Sequence, residues 1–329
     1  MRRPYLLSAV VLTSLLAANS AVARREPDLK EPVSAQSATP TTESNPVEML
    51  LCYAFSSPVE ATRMQFVAEL PRTIPNRQKI LQIEYSKEPF RVFYENDNRY
   101  AEFVFVEPEK QTILTINIKA ELYRYDLATA QSRYKTKPRK KVPLKEFLKH
   151  ERYLEKDDAA IQKLAKEMAG KTEIDRVRSI YEYVIDNMEY SIQGKDDLGA
   201  LVALERKKGD CTEYSDLFVT LCRAKGIAAR VITGYTARFD EVSPKHHWAE
   251  VYFQDYGWVP FDASWGDTED AFTRKAAFER LQPVYIYLAN MRNDPVLHNH
   301  HFFAYTYRGE KAAMTDSVKF FFRAEPESR

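Results

Sequence analysis

The chain of 329 residues carries 48 lysines and arginines against 47 aspartates and glutamates, a near-neutral balance that gives no clustered basic surface for nucleic acid. With 44% hydrophobic residues it has the apolar content for an ordinary core, and three cysteines are too few for a disulfide-built scaffold. Their odd number leaves at least one thiol free.

Arg2 and Arg3 open an apolar run from Tyr5 to about Ala18, which reaches the small-residue triplet Ala21-Val22-Ala23. That is the pattern of a signal peptide, residues 1–23, cut near Ala23. The run falls short of the roughly 20 apolar residues that cross a bilayer. The expectation is therefore an exported chain, periplasmic or extracellular, without stable membrane insertion. Loss of the two arginines leaves 46 basic against 47 acidic residues. Residues 24–45, rich in Pro, Ser, Thr and charge, offer too little apolar surface to fold and are expected to form a flexible leader.

From 46 to 130 short runs of aromatic and β-branched residues, among them QKILQIEYS, PFRVFYEN, RYAEFVFVE and TILTINIKAELYRY, alternate with turn signals such as Asn96-Asp97-Asn98. This pattern predicts an all-β sandwich of short antiparallel strands. Residues 131–150 read as a basic linker. Its KTKPRKK tract, Lys135 to Lys141, with prolines at 138 and 143, reads as a solvated connector in preference to a phosphate- or wall-binding patch.

The remainder, 151–329, has a different period. Ile161, Leu164, Ala165 and Met168 recur at helical spacing, as do Ile174, Val177, Ile180, Tyr181, Val184, Ile185 and Met188, predicting two amphipathic helices separated by Gly170. A third helix is expected from Cys211 to about Lys225, ended by Gly226 as a left-handed cap. Strands follow at about 227–236, 246–253 and 258–263, the last two joined by a turn around Asp255-Tyr256-Gly257. Helices first and an antiparallel sheet afterwards make this half α+β.

Cys211 follows Gly209-Asp210 at the first turn of the third helix, where free backbone N–H groups and the helix dipole favour a thiolate. Cys222 falls three turns deeper among Phe218 and Leu221 and reads as a core thiol. A nucleophilic thiol needs a base. In the strand HHWAEVYF alternate residues share a face, so His246, Trp248, Glu250 and Tyr252 point one way and His247 the other. The next strand, GWVPFDAS, places Trp258, Pro260 and Asp262 on one face. With Trp248 opposite Asp262, His246 becomes the diagonal neighbour of that carboxylate, which then orients the imidazole towards Cys211.

The blocks GDCTEYSDLFVTLCRAKGIAARVITGY and HHWAEVYFQDYGWVPFDAS closely resemble the core of bacterial transglutaminase-like proteins. A Gly-x-Cys helix start, a Gly-Ile-x-Ala-Arg turn, a His-x-Trp-x-Glu-Val strand and a Trp-x-Pro-x-Asp strand occur in the family's order. The resemblance is strong from Ser179 to Gly266 and weaker back to Leu154. It implies a papain-like cysteine domain of α+β class with Cys211 as nucleophile, His246 as base and Asp262 as orienting carboxylate. The sandwich ahead of it looks like the Ig-like domain that often precedes this core. His247 stands where the family usually has a small residue, and the strand alternation favours His246 as the base.

The family's eukaryotic members place an oxyanion-stabilising tryptophan upstream of the cysteine, whereas Trp248, Trp258 and Trp265 all lie downstream here. The Cys211 backbone N–H is the expected donor, with Tyr190 as candidate second support. The cluster His298, His300 and His301 lacks a third carboxylate or thiolate partner and reads as surface or packing histidines. No metal or cofactor is expected. The expected partner is a peptide or protein substrate at the cell surface or wall. Cys211 attack on an amide gives a thioester, and hydrolysis is favoured over amine transfer for a chain without a recognisable calcium loop. The alternative is an exported binding module that uses the sandwich and has no catalytic role.

Overall fold

The computed structural model describes residues 44–56, 62–134, 143–192, 197–238, 243–309 and 313–322. The expected signal peptide, nearly all of the leader and the KTKPRKK tract lie outside them. Six strands come first: β1 (Ser44–Ser56), β2 (Arg63–Leu70), β3 (Gln78–Tyr85), β4 (Arg91–Glu95), β5 (Asn98–Val106) and β6 (Gln111–Tyr123). Every second residue of β1 from Val47 to Phe55 is buried, as period-two alternation requires of a strand with one face on a core.

A two-residue strand β7 (Tyr125–Asp126) and helix α1 (Leu127–Tyr134) lead to α2 (Ala159–Glu167) and α3 (Glu173–Asn187), at the predicted positions. Local chemistry sets their starts. Asp158 caps α2, and Thr172 with Asp175 forms a reciprocal capping box on α3. Strand β8 (Glu189–Tyr190), helix α4 (Ala200–Arg206) and strand β9 (Lys208–Gly209) precede α5 (Cys211–Ala224). Gly226 ends α5 with φ +78, the left-handed cap expected of it. Then come β10 (Ala229–Thr236), β11 (Lys245–Phe253), β12 (Gly257–Phe261), α6 (Ala263–Gly266), α7 (Ala271–Glu279), β13 (Arg280–Leu281), β14 (Tyr285–Ala289), β15 (Phe303–Arg308) and β16 (Ala313–Phe322).

Two four-stranded antiparallel sheets, β16-β1-β6-β3 and β15-β2-β5-β4, enclose one apolar core. Leu51, Phe55, Phe66, Phe103 and Ile116 lie fully inside it, each contributing about 1.5–3 kcal/mol by leaving water. The last two strands correct the expected boundary of a catalytic half running from 151 to 329. Phe303 of β15 stands opposite Ala68 of β2, and Phe322 of β16 opposite Val47 of β1. Without them β1 and β2 would be sheet edges with unpaired backbone groups, so the C-terminal segment returns to close the sandwich.

The third four-stranded sheet, β12-β11-β10-β14, carries α5 against β11 and β10. This helix is the hub of the α+β part, buried from Cys211 to Arg223 and packed by α2, α3 and α4. Tyr235, Ile286 and Leu288, from the same sheet, pack into the sandwich core. Gln78 ties the two parts: its amide nitrogen donates to the Tyr287 carbonyl, and its oxygen accepts from the Tyr287 N–H, both at 2.8 Å. Gly234 of β10 is required by close approach, since a Cβ there would lie 2.1 Å from the Ile286 carbonyl and 2.5 Å from the Trp248 ring. Among the described residues no helix is long and apolar enough to cross a membrane.

Candidate active site

Helix α5 begins where it does because Asp210 caps it. The Thr212 N–H donates to Asp210 Oδ1 at 2.8 Å, and Glu213 Oε2 accepts from the Asp210 N–H at 3.0 Å. Glu213 Oε1 also accepts from the Leu198 N–H at 3.3 Å, tying the preceding segment to the helix start. Burial, reinforced by the Asp210 carboxylate, pushes the Glu213 carboxyl up to about 7. Cys211 sits in the first helical turn, 8% exposed, where backbone N–H groups have no intrahelical acceptor.

The register of β11 and β12 pairs Ala249 with Phe261, which sets Asp262 across from Trp248 and makes it the diagonal neighbour of His246. The structure brings His246 and Asp262 into contact, with His246 Nε2 and Asp262 Oδ2 2.7 Å apart. Cys211 lies close enough to the His246 ring to be among the groups that raise its pKa. With Nε2 taken by the carboxylate, Nδ1 is the ring nitrogen left for a second partner. Burial opposes the charged form of His246, but the Asp262 carboxylate, the Cys211 sulfur and the hydrogen bond to Asp262 hold its pKa well above the ordinary value.

Asp262 is saturated with donors. Besides His246, it accepts from the Tyr285 hydroxyl on Oδ2 at 2.7 Å, and on Oδ1 from the Ser264 hydroxyl at 2.8 Å and the Trp265 N–H at 3.1 Å. Burial alone would raise this carboxyl, yet His246 and the donors around it hold it below its ordinary value. Its backbone is held as well, because the Tyr181 hydroxyl donates to the Asp262 carbonyl at 3.0 Å. Gly266 makes room for that hydroxyl, which a Cβ at 266 would meet at 1.9 Å.

His247 points to the other face, as the alternation predicts. Its Nδ1 lies 3.2 Å from Thr212 Oγ1, and its ring meets the His301 ring edge-on at 4.6 Å. Burial, with His301 and Arg292 close by, drives its pKa well below the ordinary value, so this histidine is neutral. Tyr190 lies at the rim, half exposed, its strand paired to Gly209 and its ring 6.1 Å from that of Tyr214. All three cysteines are free. Cys222 is enclosed in the core, where burial pushes its thiol up, and Cys52 lies on β1 in the sandwich.

Tyr285, Ser264 and Tyr181 were not among the residues expected at the site. Ser264 could have been found two residues beyond Asp262, whereas Tyr181 sits on a helix face that reads only as core and Tyr285 lies in a segment with no assigned element. Of the histidine cluster, His301 packs on His247 and accepts from the Arg292 guanidinium at 2.8 Å. Among the described residues no group of three or more His, Cys, Asp or Glu side chains could hold a metal ion.

The family profile described as the transglutaminase-like superfamily matches residues 162–263, from within α2 to the start of α6, and includes Cys211, His246 and Asp262. A 117-residue stretch is 31% identical to YebA of Bacillus subtilis, a protein of uncharacterised function, covering 30% of this chain and 16% of YebA. A 120-residue stretch is 29% identical to human kyphoscoliosis peptidase, covering 32% of this chain and 18% of that protein. The chain thus spans less than a fifth of the length of these relatives. Among solved structures, a Cytophaga hutchinsonii protein described as a candidate cysteine protease superposes with a TM-score of 0.62 at 19% identity, covering 87% of this chain and 93% of that one. At that identity the likeness is one of fold. Residues 162–263, with Cys211, His246 and Asp262 among them, thus match as a transglutaminase-like domain, and the fold is shared with the Cytophaga protein.

Proposed function

We propose that the protein is an exported cysteine enzyme acting on a peptide or glutamine-type amide. The observation that carries this reading is that His246 lies 2.7 Å from a donor-saturated Asp262 and close enough to Cys211 for the sulfur to raise its pKa. Cys211 sulfur attacks the amide carbonyl carbon and forms a C–S bond. His246, having taken the thiol proton, delivers it to the departing nitrogen as the C–N bond breaks, which leaves a thioester. The developing oxyanion is met by the Cys211 backbone N–H at the helix start, with the Tyr190 hydroxyl at the rim as second donor. Asp262 keeps the ring oriented and balances its charge.

Water then attacks the thioester carbon while His246 accepts its proton, and the C–S bond breaks as that proton returns to the Cys211 sulfur, releasing the acid product; an amine in place of water would give a cross-link. Hydrolysis is the favoured outcome, and the peptidase and candidate-protease descriptions of the similar proteins support it. The signal-peptide pattern of residues 1–23 supports export, and the eight-stranded sandwich, which we read as Ig-like, serves as the scaffold on which the catalytic sheet is mounted. A binding role for that sandwich has one observation in its favour: a cavity of about 280 Å³ on the β15-β2-β5-β4 sheet, bordered by Arg91, Phe93, Glu102 and Tyr305.

Incubation with glutamine-containing peptides and a labelled primary amine separates the outcomes. Hydrolysed product in excess of amine-bearing product is expected, with both lost in Cys211→Ala. If the wild type yields neither product while retaining a cell-surface component, the binding reading replaces the enzyme.

A further inference from the structure

On the face of β11 away from Asp262, a buried polar network is centred on Arg292. Its guanidinium, with no exposure, grips Asp216 of α5 through two bonds, Nε to Oδ1 at 2.7 Å and Nη2 to Oδ2 at 3.0 Å. The remaining arm donates to Asp197 Oδ2 at 3.2 Å and to His301 Nε2 at 2.8 Å. His301 packs edge-on against His247, and His247 meets the Thr212 hydroxyl.

These contacts join both halves of the reacting pair from behind. Thr212 directly follows Cys211 in the chain, Asp216 lies in the next turn of the same helix, and His247 directly follows His246. A shift or rotation of the start of α5 moves Thr212 and Asp216, and a slide of β11 moves His247. Each motion disturbs contacts that lead back to Arg292, directly through Asp216 or through the His247–His301 ring contact. Burying an arginine without exposure is costly unless every arm is paired, and a bidentate grip on a carboxylate constrains direction as well as distance. Neither the superfamily motifs nor the catalytic steps use this residue.

The geometry assigns Arg292 as a positioning residue that holds the Cys211 sulfur and the His246 ring in reacting register; this rests on the proposed catalytic reading. Lysine at 292 would keep the charge but lose the bidentate grip, and His301→Gln would cut the link to His247 while leaving Arg292 on Asp216. Three measurements on the full chain test this: kcat and KM on a glutamine-containing peptide, the iodoacetamide rate at Cys211 across pH, and the melting temperature.

For Arg292→Lys a fall in kcat of about 100-fold is expected, the scale of a displacement near 1 Å at a reacting pair, with KM changed by less than about twofold. Alkylation of Cys211 should slow in parallel at every pH. His301→Gln should show the same pattern at about a tenth of the size, and it carries the test should Arg292→Lys fail to fold. Wild-type alkylation rates and pH profiles in both variants, with only the melting temperature lowered, would overturn the assignment. Rapid wild-type alkylation without amide turnover would sink the catalytic reading instead, and the alkylation series would still decide what Arg292 does.

Discussion

The two faces of β11 give adjacent histidines opposite electrostatic fates. His246 faces a carboxylate fed by three further donors and is held charged well above its ordinary pKa, while one residue on His247 faces a guanidinium and a second histidine and is held neutral. Burial pushes both the same way, so it cannot be the cause of the difference. The charge of the partner decides, and the pleat of the strand decides which partner each ring meets.

The sharpest way to break this comparison is to neutralise the partner on one face. Asp262→Asn should leave the melting temperature within a few degrees of wild type and lower kcat by about 10³–10⁴-fold through loss of orientation and charge, and His246→Ala should be at least as damaging. A His247→Gln variant, by contrast, should retain activity within about tenfold, because its contacts reach the site only through Thr212 and His301. An inactive His247→Gln beside an active His246→Ala would mean that the strand register is shifted by one residue.

Thiol reactivity offers a second large difference. Brief iodoacetamide treatment near neutral pH should label Cys211 at least about 100-fold faster than Cys222, since Cys211 stands at a helix start beside a histidine whereas Cys222 is enclosed in the core with its thiol pushed up by burial. Peptide mapping would show this, and preferential labelling of Cys222 or Cys52 would contradict it.

Stability against pH separates the two rings by sign. The folded pKa of His247 lies below its unfolded value, so on acidification the unfolded chain takes up a proton that the folded chain refuses. Stability should therefore fall as pH drops below about 6.5, by up to about 1.4 kcal/mol per unit. His246 is raised, so its contribution is present below the ordinary histidine value and is lost only as pH rises through its high folded pKa. Asp262 is lowered, so its contribution is present above the ordinary carboxyl value and fades as pH falls through its folded pKa. Denaturant titrations should show His247→Gln flattening the slope just below pH 6.5, whereas His246→Gln removes a loss at alkaline pH. Equal slopes in wild type and His247→Gln would show that His247 is not held neutral.

The smallest expected effect is at Tyr285. Phe at this position removes one of the hydrogen bonds to Asp262, and a loss of about 1 kcal/mol corresponds to a roughly fivefold fall in kcat. A fall beyond about 100-fold would show that the hydroxyl does more than steady the carboxylate.

The sequence alone determined what short-range periodicity encodes. Helical spacing located α2 and α3, Gly-Asp-Cys marked the start of α5, and alternation along HHWAEVYF separated His246 from His247. The order of Cys211, His246 and Asp262 in recognisable local motifs made the candidate trio legible, because each motif is built from neighbours along the chain. What closed the sandwich and what surrounds the trio was decided in three dimensions. Strands β15 and β16 leave the catalytic half to pair with β2 and β1, since those edges would otherwise be open. Tyr285 reaches Asp262 from 23 residues away, and Arg292 reaches Asp216 from 76. No periodicity or spacing announces such contacts. A tyrosine in an apolar strand and an arginine in a loop carry no local signal of their partners; the tertiary fold buries them, and burial then obliges each to find one.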